Sequence, residues 1–387
     1  MDKSNTYRME TLAVHAGERR PGPEGSLVFP IYQGTVFAVA PGTDYHDIRY
    51  IRLSSTPSQK YLHDKLAALE GAPAALATAS GMAAVTSILF TLLQKGDHLL
   101  ASDCLYGGTH DFLTRDAERL GWTHTFVDAQ RPDSWAEALR PTTRVFLVET
   151  ITNPTMRVPR LRDVAAFARA NSLTSVIDNT FASPVNFRPL EAGFDVCFHS
   201  ATKYLNGHSD LVAGCVMGGE ETVSRIRHTV NHHGGVLDPH AGFLLARGLK
   251  TLALRVRAQN ENAAALARLL EGHPKGVQVN YPGLASHPDH AHASDLLRGF
   301  GGMLSLRVAG GAAAASRLIE ALRIAYHAPS LGSVETLVTR PAATSHAGML
   351  REDRERAGVT DDLVRVSCGI ESAEDLVADF RHALDSV

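Results

Sequence analysis

The chain has 387 residues, of which 44% are hydrophobic, and this length accommodates one large domain and one smaller one. Its formal net charge is −3, and no block of like charge favours a nucleic-acid or membrane partner. The four cysteines are scattered without a C-x-x-C pair, which predicts a reduced, cytoplasmic protein.

Residues 1–45 are rich in proline and glycine and predict an N-terminal arm with little regular structure. The first 20 residues are polar and lack the apolar core of a signal peptide. Because an extended arm cannot bury its own side chains, we expect it to lie on the rest of the protein or on a neighbouring subunit.

Helical and strand patterns alternate over residues 46–245, which we interpret as an α/β domain. The predicted strands are 74–78, 98–101, 123–127, 145–148, 175–177 and 196–199. The predicted helices are 61–70, 81–93, 109–119 and 161–170. This alternation predicts a mostly parallel sheet covered on both faces, whose ligands bind at the carboxyl ends of the strands.

Residues 246–387 predict a smaller C-terminal α+β domain. A long, charge-dotted helix over 244–271 is followed by Gly272 and Pro274, which are helix stop signals. The apolar runs that follow it are 303–308, 318–322 and 364–367. The sequence shows no internal repeat and no disordered linker.

Two segments at predicted strand ends point to a reaction type. Lys203 lies among small hydroxyl residues, and Asp178 ends an apolar run. A pyridoxal phosphate (PLP) enzyme needs a lysine that bonds to the cofactor and an acid for the pyridine nitrogen. Taken alone, Lys203 also fits a surface lysine and Asp178 a turn residue; the combination favours PLP.

Several other segments suit the same cofactor. The turn at Ser80, Gly81 and Met82 offers helix N–H groups to a phosphate, and so do the hydroxyls of Ser200 and Thr202. An ordinary tight turn is the alternative for the first of these segments, which is favoured when the segment is considered alone.

Aromatic and arginine residues complete the candidate site. Tyr106 precedes two glycines and is placed to stack on a planar ring, while Tyr50 and Arg52 are natural phosphate ligands. Arg365 lies within an apolar run and suits bidentate capture of a substrate carboxylate. The alternative for Tyr106 is a packing role in a turn, and for Tyr50 and Arg52 it is a solvated strand. For Arg365 it is a structural ion pair.

The histidine-rich segments do not predict a metal site. His232 and His233 are adjacent, and His287, His290 and His292 occur in a segment with proline and aspartate but without a nearby cysteine. Solvated loops are the favoured interpretation.

Seven segments in order resemble the γ-subfamily of PLP enzymes of cysteine and methionine metabolism. This family contains cystathionine γ-lyase, γ-synthase and β-lyase, methionine γ-lyase and O-acylhomoserine sulfhydrylases. The matching segments are 149–155, 178–184, 199–210, 247–252, 281–284, 330–332 and 365–371. The resemblance implies the aspartate-aminotransferase type I fold of PLP-dependent transferases.

The resemblance also implies roles for individual residues. Lys203 is implied to hold the cofactor and shuttle protons, Asp178 to pair with the pyridinium, and Tyr106 to stack on the ring. The implied phosphate ligands are Ser80, Gly81, Met82, Ser200 and Thr202, with Tyr50 and Arg52 reaching across from a neighbouring subunit. The implied substrate-binding residues are Arg49, Asn153, Glu335, Thr336 and Arg365. Sharing of this kind requires at least a dimer, and the resemblance favours a homotetramer, built as a dimer of dimers.

Three positions bear on the substrate. Arg49 stands where many cystathionine enzymes of the family have an acidic residue, whereas Glu335 resembles a glutamate of the γ-lyases. Gly108 occupies the place of a cysteine typical of methionine γ-lyases. The segment after Arg52 also departs from the family pattern, because 53–57 reads Leu-Ser-Ser-Thr-Pro.

The sequence therefore predicts γ-elimination or γ-replacement on cystathionine or a related γ-substituted amino acid, with cystathionine γ-lyase activity favoured. The alternatives are a γ-synthase or O-acylhomoserine sulfhydrylase, a β-lyase that makes pyruvate, and a non-catalytic PLP-binding protein. A small amino-acid substrate is expected in each catalytic case, with no metal.

Overall fold

A computed structural model describes residues 7–18, 20–44, 47–345, 347–348 and 350–387. Its α-helices are α1 (Met9–His15), α2 (Pro57–Glu70), α3 (Gly81–Leu92), α4 (Gly107–Asp111), α5 (Leu161–Ala170), α6 (Ser183–Asn186), α7 (Glu220–His233), α8 (Pro239–Leu249), α9 (Leu252–Glu271), α10 (His290–Leu296), α11 (Gly311–Ala321), α12 (Arg351–Arg356) and α13 (Ala373–Asp385). Its strands are β1 (Ala74–Thr78), β2 (His98–Ser102), β3 (Thr123–Val127), β4 (Thr143–Glu149), β5 (Thr174–Asp178), β6 (Val196–His199), β7 (Gly214–Gly218), β8 (Gly276–Asn280), β9 (Met303–Val308), β10 (Tyr326–His327), β11 (Leu337–Thr339) and β12 (Leu363–Ser367).

The larger sheet has the strand order β1-β7-β6-β5-β4-β2-β3. Strands β2 to β6 pair in parallel, and β7 is antiparallel to both of its neighbours, β1 and β6. The mostly parallel sheet expected from the sequence is therefore present. Because β1, β4, β5 and β6 all point in one direction, their carboxyl ends meet at the same edge of the sheet.

Helices cover both faces of this sheet, and alternate residues of each strand face opposite sides. Val145 and Val176 pack with α3 and α7 on one face, in a core that includes Ile88 and Ile226. Their neighbours in sequence, such as Phe146 and Ile177, pack on the opposite face with α2, α5 and α8. Apolar residues on both faces explain why the central strands read as continuous hydrophobic runs.

The smaller sheet has the order β10-β11-β12-β9-β8 and lies in the C-terminal part of the chain. Residues of α9, α11 and α13 pack on it, and the core that they share includes Leu266, Leu318, Phe380, Leu306 and Val366. A sheet with helices gathered against it matches the α+β arrangement predicted for this region. The exact domain limits remain a prediction, and residues 45 and 46, where one limit was placed, lie outside the described residues. No helix in the described ranges is long and apolar enough to cross a bilayer.

The N-terminal segment is more structured than predicted. It contains α1, whose Leu12 and Ala13 are buried in the larger core. The buried ammonium group of Lys65 on α2 donates to the carbonyls of Ala13 and Val14, at 2.9 and 3.1 Å, and so caps the end of α1. Beyond α1 the described residues up to Asp44 form no strand and no α-helix, as expected. Residues 1–6 and 19 of the predicted arm lie outside the described residues.

The bounds of two predicted helices were wrong, and strand β7 of the larger sheet was missed. The helix predicted over 244–271 is two helices, α8 and α9, because a tight turn at Lys250 and Thr251 interrupts it without interrupting its apolar spacing. The helix predicted over 109–119 is short α4, followed by a π-helical turn over Phe112–Asp116 and a 3₁₀ turn. Strand β7 was not predicted, because glycine begins and ends its five residues.

Candidate active site

A cavity of about 740 Å³ lies at the carboxyl edge of the larger sheet. Residues from the ends of β1, β4, β5 and β6 line one side, and residues of the smaller domain line the other. Ten residues predicted for the site line this cavity: Ser80, Gly81, Met82, Tyr106, Asn153, Asp178, Ser200, Thr202, Lys203 and Arg365. These residues are spread over 285 positions of the sequence. The order of the strands in the sheet brings them together.

Lys203 lies in the loop after β6, with its amine inside the cavity. Its Nζ donates a hydrogen bond to the Oγ of Ser330 at 2.7 Å. Burial, together with the positive charge of Arg365, lowers the pKa of Lys203 to about 8. An amine with this pKa is partly neutral near physiological pH and can act as a nucleophile or a base.

Asp178 ends β5 at the floor of the cavity. One of its carboxylate oxygens accepts hydrogen bonds from the backbone N–H and the hydroxyl of Thr180, at 2.9 and 2.5 Å. Burial raises the pKa of Asp178, while these two hydrogen bonds oppose the rise. The same hydroxyl of Thr180 accepts the backbone N–H of Ser200 at 2.9 Å, which fixes the end of β6 to the end of β5.

The N-terminus of α3 meets the loop after β6 at close range. A Cβ at Gly81 would lie 2.8 Å from the Cβ of Ser200 and 3.1 Å from its hydroxyl, so glycine is what permits this approach. Ser80 caps the helix by accepting the backbone N–H of Ala83 at 3.0 Å. The first N–H groups of α3 and the hydroxyls of Ser200 and Thr202 therefore surround one small region, which suits a phosphate.

Tyr106 immediately precedes α4, and 48% of its surface is exposed. Its backbone N–H donates to the carboxyl of Glu149. A Cβ at Gly108 would lie 2.7 Å from the Tyr106 ring and 3.1 Å from the sulfur of Met82. Glycine at position 108 therefore leaves room for the Tyr106 ring in its position beside the cavity.

Arg365 on β12 reaches the cavity from the smaller domain. Its guanidinium donates to the Oδ1 of Asn153 at 3.1 Å and to the backbone carbonyl of Ser330 at 2.9 Å. Burial lowers the pKa of Arg365 to about 10, so it remains charged at neutral pH. Neither partner is an acid, so the charge of Arg365 is available to a substrate carboxylate.

The other predicted site residues lie elsewhere. Arg49, Tyr50 and Arg52 are exposed and do not line the cavity; the guanidinium of Arg52 lies 5.5 Å from the centre of the Tyr50 ring. Glu335 is also exposed, and Thr336 is buried, where its backbone N–H and hydroxyl donate to Glu371 at 2.6 and 2.8 Å. Their predicted roles stay predictions.

Three residues that received no role from the sequence belong to the site. Ser330 holds the lysine amine, Thr180 holds Asp178, and Glu149 holds the backbone of Tyr106. Ser330 and Glu149 fall within the family-like segments, and Thr180 lies two residues after Asp178. Their spacing carried no signal of function, because each acts through a contact between distant parts of the chain.

The histidines of residues 287–292 do not lie in a fully solvated loop, contrary to expectation, because His287 is buried and His290 and His292 are half-buried. His287 is buried, and burial lowers its pKa to about 4. The rings of His290 and His292 donate to the carbonyls of Pro282 and Val158, at 2.8 and 2.6 Å. These hydrogen bonds give the segment a structural role.

A buried trio lies on the opposite face of the sheet from Asp178. Among the described residues, Glu70, Cys197 and His199 place their potential ligand atoms within 4.8 Å of one another. The Nε2 of His199 and a carboxylate oxygen of Glu70 are 2.9 Å apart and satisfy each other as a hydrogen-bonded pair. Asn179, which follows the end of β5, donates to the second oxygen of Glu70 at 3.2 Å. The trio therefore stabilises the strand ends beneath the cavity.

The cavity fits PLP by the chemistry of its donor groups. It combines a lysine with a lowered pKa, a helix N-terminus with two hydroxyls, and a carboxylate with support from Thr180. Within the described parts of the chain, no ion pair joins Asp178 to a basic side chain, so it can pair with a pyridinium. Each feature suits one part of the cofactor by its chemistry: the lysine suits the aldehyde, the helix N-terminus and hydroxyls suit the phosphate, and the carboxylate suits the ring nitrogen.

Comparison with known proteins agrees with this fit. The family model for Cys/Met metabolism PLP-dependent enzymes matches residues 10–385. The chain is 38% identical to the cystathionine gamma-lyase of Dictyostelium discoideum over 387 residues, covering all of both chains. It is equally identical, 38% over 396 residues and all of both chains, to an L-methionine gamma-lyase of Fusobacterium nucleatum subsp. polymorphum.

A solved structure of a similar protein has the same fold. The crystal structure of cystathionine gamma-lyase from Lactobacillus plantarum, complexed with L-serine, has a TM-score of 0.93 to this chain. The two are 34% identical, and the match covers 98% of this chain and 99% of the other. The predicted fold class is thereby confirmed.

Proposed function

The chain belongs to the family of Cys/Met metabolism PLP-dependent enzymes, and from this premise we propose that it cleaves L-cystathionine at Cγ. The products would be cysteine, 2-oxobutyrate and ammonia, with one water consumed. As a member of this family, the chain is an enzyme of cysteine and methionine metabolism whose cofactor is pyridoxal 5′-phosphate, and a small amino-acid substrate is consistent with that family.

The observation that carries the proposal is the amine of Lys203, held by Ser330 inside the cavity. Elimination at Cγ requires a proton to leave Cα and a second to leave Cβ, whereas elimination at Cβ requires only the first. When bound, PLP supplies an electron-withdrawing ring that stabilises negative charge on the substrate. A lysine amine with a pKa of about 8 can accept and return a proton, and we assign this role to Lys203 at both carbons.

Other residues would bind and orient the substrate and cofactor. We assign the α-carboxylate of the substrate to Arg365 and Asn153, since a charged fork and an amide converge there. Ser80, Gly81, Met82, Ser200 and Thr202 would hold the cofactor phosphate, and Asp178 would keep the ring nitrogen protonated. Tyr106 would cover the ring, and we assign its hydroxyl a part in proton transfer.

Gly108 supports cystathionine over methionine as the substrate. The methionine γ-lyases that the chain resembles typically have cysteine at the position of Gly108. Here any Cβ would press on the Tyr106 ring and on the sulfur of Met82. The space at this part of the cavity wall therefore suits glycine rather than cysteine.

We further propose that the active enzyme is a cytoplasmic homotetramer, arranged as a dimer of dimers with shared sites. Tyr50 and Arg52 are exposed outside their own cavity and are available to the phosphate of a neighbouring subunit. The arm also exposes large apolar side chains, with Leu27 92% and Val36 83% accessible, which a second copy would cover. Four free cysteines support a reducing compartment.

We propose that Arg49, Glu335 and Thr336 help to bind the distal end of the substrate. Arg49 adjoins Tyr50, so in a dimer it would enter the neighbouring site together with that tyrosine. Glu335 and Thr336 lie between Ser330 and Arg365 in the sequence, and both belong to the smaller domain.

Identification of the keto acid tests this proposal. Purified, PLP-loaded protein is incubated with L-cystathionine, and the released keto acid is identified by chromatography. We expect 2-oxobutyrate; pyruvate as the main product would place the enzyme among β-lyases. Lys203→Ala should lose turnover by at least about 100-fold, while Lys95→Ala, at an exposed lysine outside the cavity, should not.

A further inference from the structure

A second buried carboxyl, Glu149, lies beside Asp178 in the cavity. It is the last residue of β4, it lines the cavity, and only 5% of it is exposed. Strands β4 and β5 pair so that Glu149 is opposite Asp178. Side chains at paired positions leave the sheet on the same face, so the two carboxyl groups are neighbours. The proposed function uses Asp178 and does not use Glu149, whose contact with the backbone of Tyr106 was described above.

The contacts of Glu149 join two walls of the site. Its carboxyl accepts a hydrogen bond from the backbone N–H of Tyr106, and the nearby backbone N–H of Asn153 acts to lower its pKa. Tyr106 is the residue before α4, and Asn153 is the amide that holds Arg365. One side chain therefore connects the aromatic wall to the pair of residues assigned to the substrate carboxylate.

The surroundings of Glu149 favour an uncharged carboxyl. Burial, and then the charge of Asp178, raise the pKa of Glu149 well above its usual range, while its two backbone hydrogen bonds oppose this. Its negative neighbour Asp178 is better supported, because Thr180 donates to it twice. A neutral carboxyl still offers a carbonyl oxygen to N–H donors, so it can hold the two loops without adding charge to the site.

We propose that Glu149 is a positioning residue, whose carboxyl fixes the backbones of Tyr106 and Asn153 so that the ring-covering tyrosine and Arg365 keep their places around the substrate. This inference deepens the proposed function and rests on it. Its role requires an acceptor oxygen at the right distance from both N–H groups, and it does not require an ionisable acid.

Two mild substitutions separate these requirements. Glu149→Gln keeps the length of the side chain and a carbonyl oxygen, but removes the acid. Glu149→Asp keeps the acid and withdraws it by one methylene from Tyr106 and Asn153. The positioning role predicts that Gln behaves like the parent protein and that Asp does not.

Two readouts are measured on the PLP-loaded protein. The first is the visible circular dichroism of the bound cofactor, which reports the asymmetry imposed by Tyr106 and needs no substrate. The second is kcat/KM for L-cystathionine. For Glu149→Asp we expect a weaker dichroic band and a roughly 10-fold loss of kcat/KM, mainly through KM, because Arg365 is less well oriented. For Glu149→Gln we expect both readouts within about 3-fold of the parent values.

The control for stability alone is Asp379→Ala in the smaller domain. Asp379 is also buried, and it accepts the backbone N–H groups of Arg323 and Ile324 at 2.9 to 3.2 Å, far from the cavity. It should lower the thermal midpoint and leave the dichroic band unchanged. An unaffected Glu149→Asp protein, or an impaired Glu149→Gln protein, would overturn the positioning role. If cystathionine is not the substrate, the dichroic band still decides the question.

Discussion

At the scale of residues, Lys203 combines two interactions with different effects. The positive charge of Arg365 and the burial of the amine both disfavour the ammonium form. The hydroxyl of Ser330, at 2.7 Å, fixes where the nitrogen lies without contributing a charge. Arg365 also donates to the backbone of Ser330, so the group proposed to bind the substrate carboxylate and the group proposed to move protons share one support.

The lowered pKa of Lys203 predicts how cofactor-free protein captures added PLP. Only the neutral amine reacts, so the capture rate should rise with pH and level off above about pH 8, where the amine is mostly neutral. The rate is measured by borohydride trapping at a series of pH values. Free N-acetyl-lysine, with an ordinary pKa of about 10.4, is the control and should still be gaining rate there. A protein whose rate follows that of the free amine would contradict the shift.

At the scale of elements, the sequence predicted the site well where strand ends carry it. The strands ending near Ser80, Asp178 and Ser200 are short apolar runs, so their ends could be located from periodicity. Ser330 and Glu149 could not be assigned, because their roles depend on partners that only the folded chain brings close. The break between α8 and α9 was missed for a similar reason, since its cause is a contact with a distant loop.

That contact is the approach of α8 to the loop after Lys203. A Cβ on Gly248 would lie 2.4 Å from the carbonyl oxygen of Asn206. Arg255 at the start of α9 donates to the carbonyls of Tyr204 and Gly248, both at 2.8 Å. The helix pair therefore acts as the support on which the lysine loop rests.

Two alanine substitutions on α8 test this support. Gly248→Ala should destabilise the protein by about 1–3 kcal/mol, because the new methyl group has no space against Asn206. Gly242→Ala lies on the same helix, where the nearest atom to the new Cβ would be a methyl of Leu62 at 3.7 Å. It should be neutral or stabilising by up to about 1 kcal/mol. Thermal unfolding of both PLP-loaded variants decides, and equal midpoints would argue against the close approach.

At the scale of the whole molecule, the active site is assembled from both sheets. The larger sheet supplies the residues proposed to bind the cofactor, and β12 of the smaller sheet supplies Arg365. The proposed sharing between subunits adds Tyr50 and Arg52 from a second copy, so that three separate bodies would meet at each site.

Sharing predicts that two inactive variants restore each other. Lys203→Ala damages the site of its own subunit, whereas Arg52→Ala would damage the site of the neighbour. The two proteins are unfolded together and refolded as a mixture. If dimers form at random, about a quarter of all sites should then be intact. Keto-acid release from cystathionine measures the recovery. Refolded mixtures no more active than the separate variants would indicate that each subunit builds its own site.

The position of β1 in the sheet has a consequence for how the chain is made. Ala74–Thr78 pairs with β7, whose first residue follows 136 positions after the end of β1. At a synthesis rate of about 5–20 residues per second, roughly 7–27 s separate the appearance of these two strands. During that interval an apolar strand has left the ribosome before its partner exists. The nascent chain is therefore expected to depend on chaperones most strongly while residues 79–218 are being translated.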